Sequence, residues 1–188
     1  YLENDEEKGY KMVKKYLLND NDIVMKNLPN SKLPIIWIHS KYEMNSRNWL
    51  SFNSRNTEKL NEPYKYLMIK SVIDHCGKDF NICLINDHSF TDLLKNWEID
   101  IHKISNPIKN IVRQLALAQI LYNYGGIILP DSYLCLKNIK NIYTKGLENN
   151  KMFVGELFDK NNNYVENKLV NRINYHPSPK LMGCNKDN

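Results

Sequence analysis

The sequence has no apolar run approaching the ~18–20 residues that a membrane-spanning helix needs, so no span is expected within it. No basic stretch followed by an apolar core stands at its start, and no secretory leader is read there. There is no dense basic tract. The 26 Lys and Arg are interleaved with 21 Asp and Glu for a net charge of +5, which argues against nucleic acid and leaves only a mild attraction to anionic ligands. The four cysteines, Cys76, Cys83, Cys135 and Cys184, make no C-x-x-C pair, and no histidine stands at zinc-finger spacing, so a structural zinc site is not expected. His75, His88, His102 and His176 show no metal-ligand spacing either. G-x-S-x-G, Walker A, G-x-G-x-x-G and H-E-x-x-H are all missing, which removes the commonest hydrolase, nucleotide-binding and zinc-peptidase signatures.

What remains is an ordinary globular composition: 188 residues, 42% apolar and 25% charged. That is enough chain to bury the core of one domain. The chain opens on Tyr1 and closes on the polar run NKDN, the pattern of a piece of something longer. Asn is abundant beside Lys, Ile and Tyr, as AT-rich coding would produce. Cys83 and Cys135 lie inside apolar runs and read as reduced, buried and chemically idle.

Strands and helices alternate along the chain. Asp5–Leu18 carries Tyr10, Val13 and Leu17 at helical spacing, with acids leading and lysines following, which suits a helix dipole. Pro34–His39 (PIIWIH) is a compact apolar strand, and Ser40–Asn61 is a polar loop. That loop offers Tyr42, Arg47, Trp49, Phe52 and Arg55, side chains that suit a sugar or a protein surface equally. Asn61–Gly77 is punctuated as a helix by Pro63 and Gly77, with Tyr64, Leu67, Met68 and Val72 as its apolar stripe. Phe80–Asp87 is a buried strand ending in an acid, Ser89 opens a short helix to Leu94, and Trp97–Ile101 is an edge strand.

The segment from Ile104 to Leu136 is the most informative. From Pro107 to Tyr124, Ile108, Ile111, Val112, Leu115, Ala118, Leu121 and Tyr122 leave little room for a wet face, so the helix should be largely buried. Gly125 supplies its left-handed cap. GIILP is the next strand, YLCL another, Asn138–Leu147 a helix and Lys151–Phe158 a strand. Asn161–Asn163 is a turn, and short strands and loops follow.

This alternation predicts a single α/β domain with a central mixed, mostly parallel sheet. It divides into an N-terminal helix and loop (1–33), a core (34–136) and a final part (137–188). Ligands of such sheets bind at the carboxyl ends of the strands, here His39, Asp87 and the Pro130–Ser132 turn. Arg113, on a nearly apolar helix, needs an acid or an anionic ligand as partner, and an internal ion pair is the simpler choice. Asp87 is equally suited to capping the helix near Ser89, and P-D-S at 130–132 is good turn chemistry in its own right.

LPIIWIHSKYE, PYKYLMIKSVIDHCGKDFNICLIND and the helix leading into YNYGGIIL resemble glycosyltransferase family 32 and its capsular polysaccharide synthesis relatives. Uncharacterised proteins of large DNA viruses look similar too. The resemblance implies a GT-A, Rossmann-like fold and transfer of a sugar from a nucleotide-sugar donor to a glycan or protein acceptor. It implies a Mn²⁺ or Mg²⁺ ion held by a D-x-D or D-A-S turn after the strand that follows Gly-Gly. Aligned on Gly125 and Gly126, the family's helix Asp falls on Arg113 and its helix Arg on Ala116. The turn's three positions fall on Pro130, Asp131 and Ser132. The implied donor-binding residues are Trp37 (stacking on the base, or else a core indole), His39, Asp87, Arg113, Asp131 and Ser132, with Asp131 as metal ligand. No catalytic residue is singled out. Because four donor positions depart from the pattern, the alternative is a catalytically inactive relative, a structural or binding protein such as a virion component.

Overall fold

In a computed structural model of the chain, residues 33–41, 64–156, 164–165, 168–169 and 177–187 are described. The expected helix at 5–18, the loop at 42–61 and the turn at 161–163 lie outside the described residues.

Strands β1 (Ile35–His39), β2 (Asn81–Ile85) and β3 (Gly126–Pro130) are the short, continuous apolar runs of the sequence. They form the parallel part of a five-stranded sheet, with β1 between the other two. Strand β4 (Phe153–Glu156) follows, then a two-stranded pair of β5 (Tyr164–Val165) with β6 (Lys168–Leu169), and finally β7 (Pro177–Cys184). The sheet order is β2-β1-β3-β7-β4, and β7 runs antiparallel to both neighbours. The last third of the chain thus extends the same sheet.

Successive side chains of a strand point to opposite faces, and the two cores divide accordingly. Ile35, Trp37, Cys83, Ile85 and Ile128 lie on one face, with Ala116, Leu117, Ile120 and Leu121 of helix α3 (Ile108–Tyr124) and with Phe90 and Leu93 of helix α2 (Ser89–Leu93). Ile36, Ile38, Ile82, Leu84, Ile127 and Leu129 lie on the other, with Ile69, Val72, Ile73 and Cys76 of helix α1 (Tyr64–Cys76). Each fully buried Ile, Leu or Phe contributes about 1.5–3 kcal/mol, so a sheet covered on both sides is the favourable arrangement. Helix α4 (Lys140–Gly146) packs Tyr143 edge-on against Phe80.

Several expectations fail at the level of phase and extent. The buried stripe of α1 is Ile69, Val72, Ile73 and Cys76, whereas Tyr64 is exposed and Leu67 is 65% exposed. Helix α3 is not buried all round: Ile108, Ile111, Leu115 and Tyr122 are exposed, Ile111 by 62%. It carries two apolar stripes, and only the one through Ala116 and Ile120 meets the sheet. Trp97–Ile101 is irregular and runs into a 3₁₀ turn at Ile101–Lys103 capped by the Asp100 carboxylate. The YLCL segment is also irregular, because the Cys135 amide donates to the Ser71 hydroxyl at 2.9 Å instead of joining a ladder.

Gly125 does end α3, its amide donating to the Leu121 carbonyl at 2.7 Å, but with φ 70° and ψ −172° it adopts a glycine-only extended turn in place of the expected left-handed cap. Among the described residues, no helix is long and apolar enough to cross a membrane.

Candidate functional site

The chain passes from β1 outward to β2 and then back across to β3 on β1's other side. The crossover direction therefore reverses between β1 and β3, and in open α/β sheets the crevice at the carboxyl ends of such strands is where ligands bind. His39, Ser40 and Lys41 leave β1 at this point. Asp131 and Ser132 leave β3 beside them, with His39 in register with Pro130.

Of the two readings of Trp37, base-stacking platform or core indole, the structure matches the second. Trp37 shares its face of β1 with Ile35 and is wholly buried at 0% exposure. Its indole lies 5.7 Å from the Tyr124 ring, and Nε1 donates to the Gly125 carbonyl at 2.9 Å. The indole is a satisfied core group, tying β1 to the end of α3.

Three of the expected donor-site residues come together, but on one another. The Arg113 guanidinium donates to both Asp87 carboxylate oxygens, Nη2 to Oδ2 at 2.6 Å and Nε to Oδ1 at 2.9 Å. His39 Nε2 lies 2.9 Å from the same Oδ1, and its ring stacks on Phe90 at 5.2 Å. Burial alone raises the Asp87 carboxyl's pKa. The hydrogen bonds from His39 and Arg113 outweigh it and hold the carboxyl well below the usual carboxylate range. Asp87 does not cap α2. Asn86 Oδ1 does so, accepting from the amides of His88 and Ser89 at 3.0 and 3.1 Å. Lys41 Nζ donates to Asn110 Oδ1 at 3.0 Å, so it too faces the start of α3.

Asp131 lies apart from this network, 3.0 Å from Lys65 Nζ at the start of α1, both side chains mostly buried. Ser132 is exposed in the turn. A divalent cation on a diphosphate takes hard oxygen ligands, with one or two carboxylates as the usual minimum. Here Asp131 is neutralised by an ammonium and its neighbour is Pro130, which offers a carbonyl only. Among the described residues, no cluster of three or more His, Cys, Asp or Glu is placed to hold a metal ion. Among the described residues, those at this turn do not fit the implied Mn²⁺ or Mg²⁺.

Lys65 and Ser40 were not legible as site residues. Lys65 is one lysine among many, and only its position across from the β3 turn gives it meaning. The Ser40 hydroxyl is buried at the end of β1 with no hydrogen-bond partner among the described residues.

A cavity of about 230 Å³ opens beyond Asp87, between His88, Thr91, Trp97 and the Asp100–His102 turn. Another, of about 200 Å³, lies at the amino ends of β1 and β3 beside Tyr124 and Gly125, the end of the sheet away from Asp131. Comparison with protein-family models, with curated proteins and with solved structures gives no match for this chain.

Proposed function

We propose that this protein is a glycosyltransferase-like scaffold of GT-A type whose donor chemistry has given way to internal ion pairs, and that it serves as a binding or structural protein, for instance within a viral particle. The observation that carries this reading is the Lys65–Asp131 pair at 3.0 Å. The one acid available at the β3 turn already has its counter-charge, and Pro130 leaves no second carboxylate beside it. Arg113 is likewise engaged by Asp87. Freeing it for a ligand would leave a buried carboxylate without its main partner, at a cost of several kcal/mol.

A second reading, a divergent transferase acting without a metal, is favoured by one specific feature. Lys65, Lys41 and the Ser40 hydroxyl, unpartnered among the described residues, all belong to the switch-point crevice. A lysine that swings from Asp131 to a diphosphate would stabilise the leaving group as the sugar passes to an acceptor hydroxyl.

Thermal unfolding with a panel of UDP- and GDP-sugars, each with and without Mn²⁺, separates the two. A donor that binds the folded chain raises its melting temperature by linkage. The scaffold reading requires no shift and no release of nucleotide diphosphate. A shift that disappears in Lys65→Met or Asp131→Ala would replace it with the transferase.

A further inference from the structure

We propose that Cys76 and Cys135 are a redox-modifiable pair that closes into a disulfide, strapping the segment after β3 to the end of α1. The inference is independent of the proposed function. Cys76 is the last residue of α1, and Cys135 sits in the irregular segment leading from the Asp131 turn to α4. Both are buried in the core on the α1 side of the sheet, and their sulfurs are 3.7 Å apart. A disulfide needs about 2.05 Å, so the sulfurs must close by about 1.7 Å, within reach of small side-chain rotations.

The two backbones are already fastened around the pair. The Cys135 amide donates to Ser71 Oγ at 2.9 Å. Asn138 Nδ2 donates to the His75 carbonyl at 2.9 Å and to Asp79 Oδ2 at 2.8 Å. Lys140 Nζ meets Asp79 Oδ1 at 2.7 Å. Cys83 and Cys184 belong to the core on the other face, so the sheet separates them from the pair and makes the pairing selective.

The oxidant is a small-molecule disulfide such as glutathione disulfide. One cysteine thiolate attacks it, forming a mixed disulfide and releasing one glutathione thiolate. The second cysteine then attacks the protein sulfur of that mixed disulfide, forming the Cys76–Cys135 bond and releasing the second glutathione. Two S–H bonds are lost, and the oxidant's S–S bond is reduced to two thiols. Burial, and then the hydrogen bond with Cys76, push the Cys135 thiol up to about 11. Thiolate is scarce in the closed fold, and the bond forms during folding or on local opening.

The test is to refold the chain with glutathione disulfide or with dithiothreitol, alkylate under denaturing conditions, and map the peptides by mass. The expected result is a single cross-link holding Cys76 and Cys135, lighter by two hydrogens, with Cys83 and Cys184 alkylated. The oxidised form should melt higher, by on the order of 10 °C for a closed loop of this length. The Cys83→Ser/Cys184→Ser variant should keep the cross-link and the shift, and Cys135→Ser should lose both. Alkylation of all four thiols after oxidative refolding, or a cross-link to Cys83 or Cys184, overturns the proposal. The wild-type map decides the matter even where Cys135→Ser does not fold.

Discussion

The Arg113 guanidinium grips the Asp87 carboxylate side-on, Nη2 to Oδ2 at 2.6 Å and Nε to Oδ1 at 2.9 Å. The two side chains are only 4% and 12% exposed. This fork geometry joins α3 to the end of β2, and His39 adds β1 to the same carboxylate. Desolvation makes such a pair expensive to form and more expensive to break, because removing one partner strands the other charge. Arg113→Met should therefore cost about 3–5 kcal/mol in urea unfolding. A cost under about 1 kcal/mol would mean that solvent reaches Asp87 freely.

The same carboxylate sets a pH dependence. The Asp87 pKa is depressed in the folded chain and ordinary, about 3.9, in the unfolded one. Its contribution is thus fully present above the unfolded value and is lost as pH falls below about 4 toward the folded value. Between pH 5 and pH 2.5, wild-type stability should fall more steeply than that of Asp87→Asn, which has no such proton to bind. Equal slopes in the two proteins would refute the assignment.

Helix α3 makes opposite predictions for its two stripes. Ile120 is wholly buried against the sheet, and Ile111 is 62% exposed. Ile120→Ala should cost about 2–5 kcal/mol through lost burial and a cavity. Ile111→Gln should change stability by no more than about 0.5 kcal/mol. Comparable losses at both sites would show that something covers the Ile108–Tyr122 face in solution.

The fold's centre was legible because β1, β2 and β3 are short apolar runs set off by local punctuation, with Pro63, Gly77 and Gly125 near helix ends. Helix phase was not. Leu67 and Met68 in α1, and Ile111 and Leu115 in α3, are apolar residues outside the packed stripes, and composition alone does not say which stripe meets a sheet. Strand β7 was legible only in outline, among the short strands expected after Asn163. Pro177, Pro179 and Gly183 argue against a strand interior, yet β7 pairs with β3 only through Met182–Cys184, beyond both prolines. At the site, Arg113's need for a partner was readable from its apolar helix, but Asp87 as that partner required the fold. For Trp37 both a ligand contact and a core indole were open, because its strand leads to the crevice. Its face of the strand, shared with Ile35, sends it under α3 instead.

The double glycine bars a side chain at two different places. Gly126 has φ 107°, and a Cβ there would fall on the Ile35 carbonyl oxygen of the neighbouring strand. Gly125 has φ 70° and ψ −172°, a region open essentially to glycine alone, and a Cβ there would come within 2.8 Å of the Lys186 amide nitrogen. A side chain at 125 is therefore strained as well as crowded, but the crowding involves a segment past the end of β7. At 126 the obstacle is instead the backbone of β1, the central strand of the parallel part. Gly126→Ala should therefore destabilise by several kcal/mol and disturb the β1–β3 pairing, seen as faster amide exchange in β1. Gly125→Ala should also destabilise, but leave that exchange unchanged. Unchanged β1 exchange in Gly126→Ala would show that the β1–β3 approach is looser than the Ile35–Gly126 contact requires.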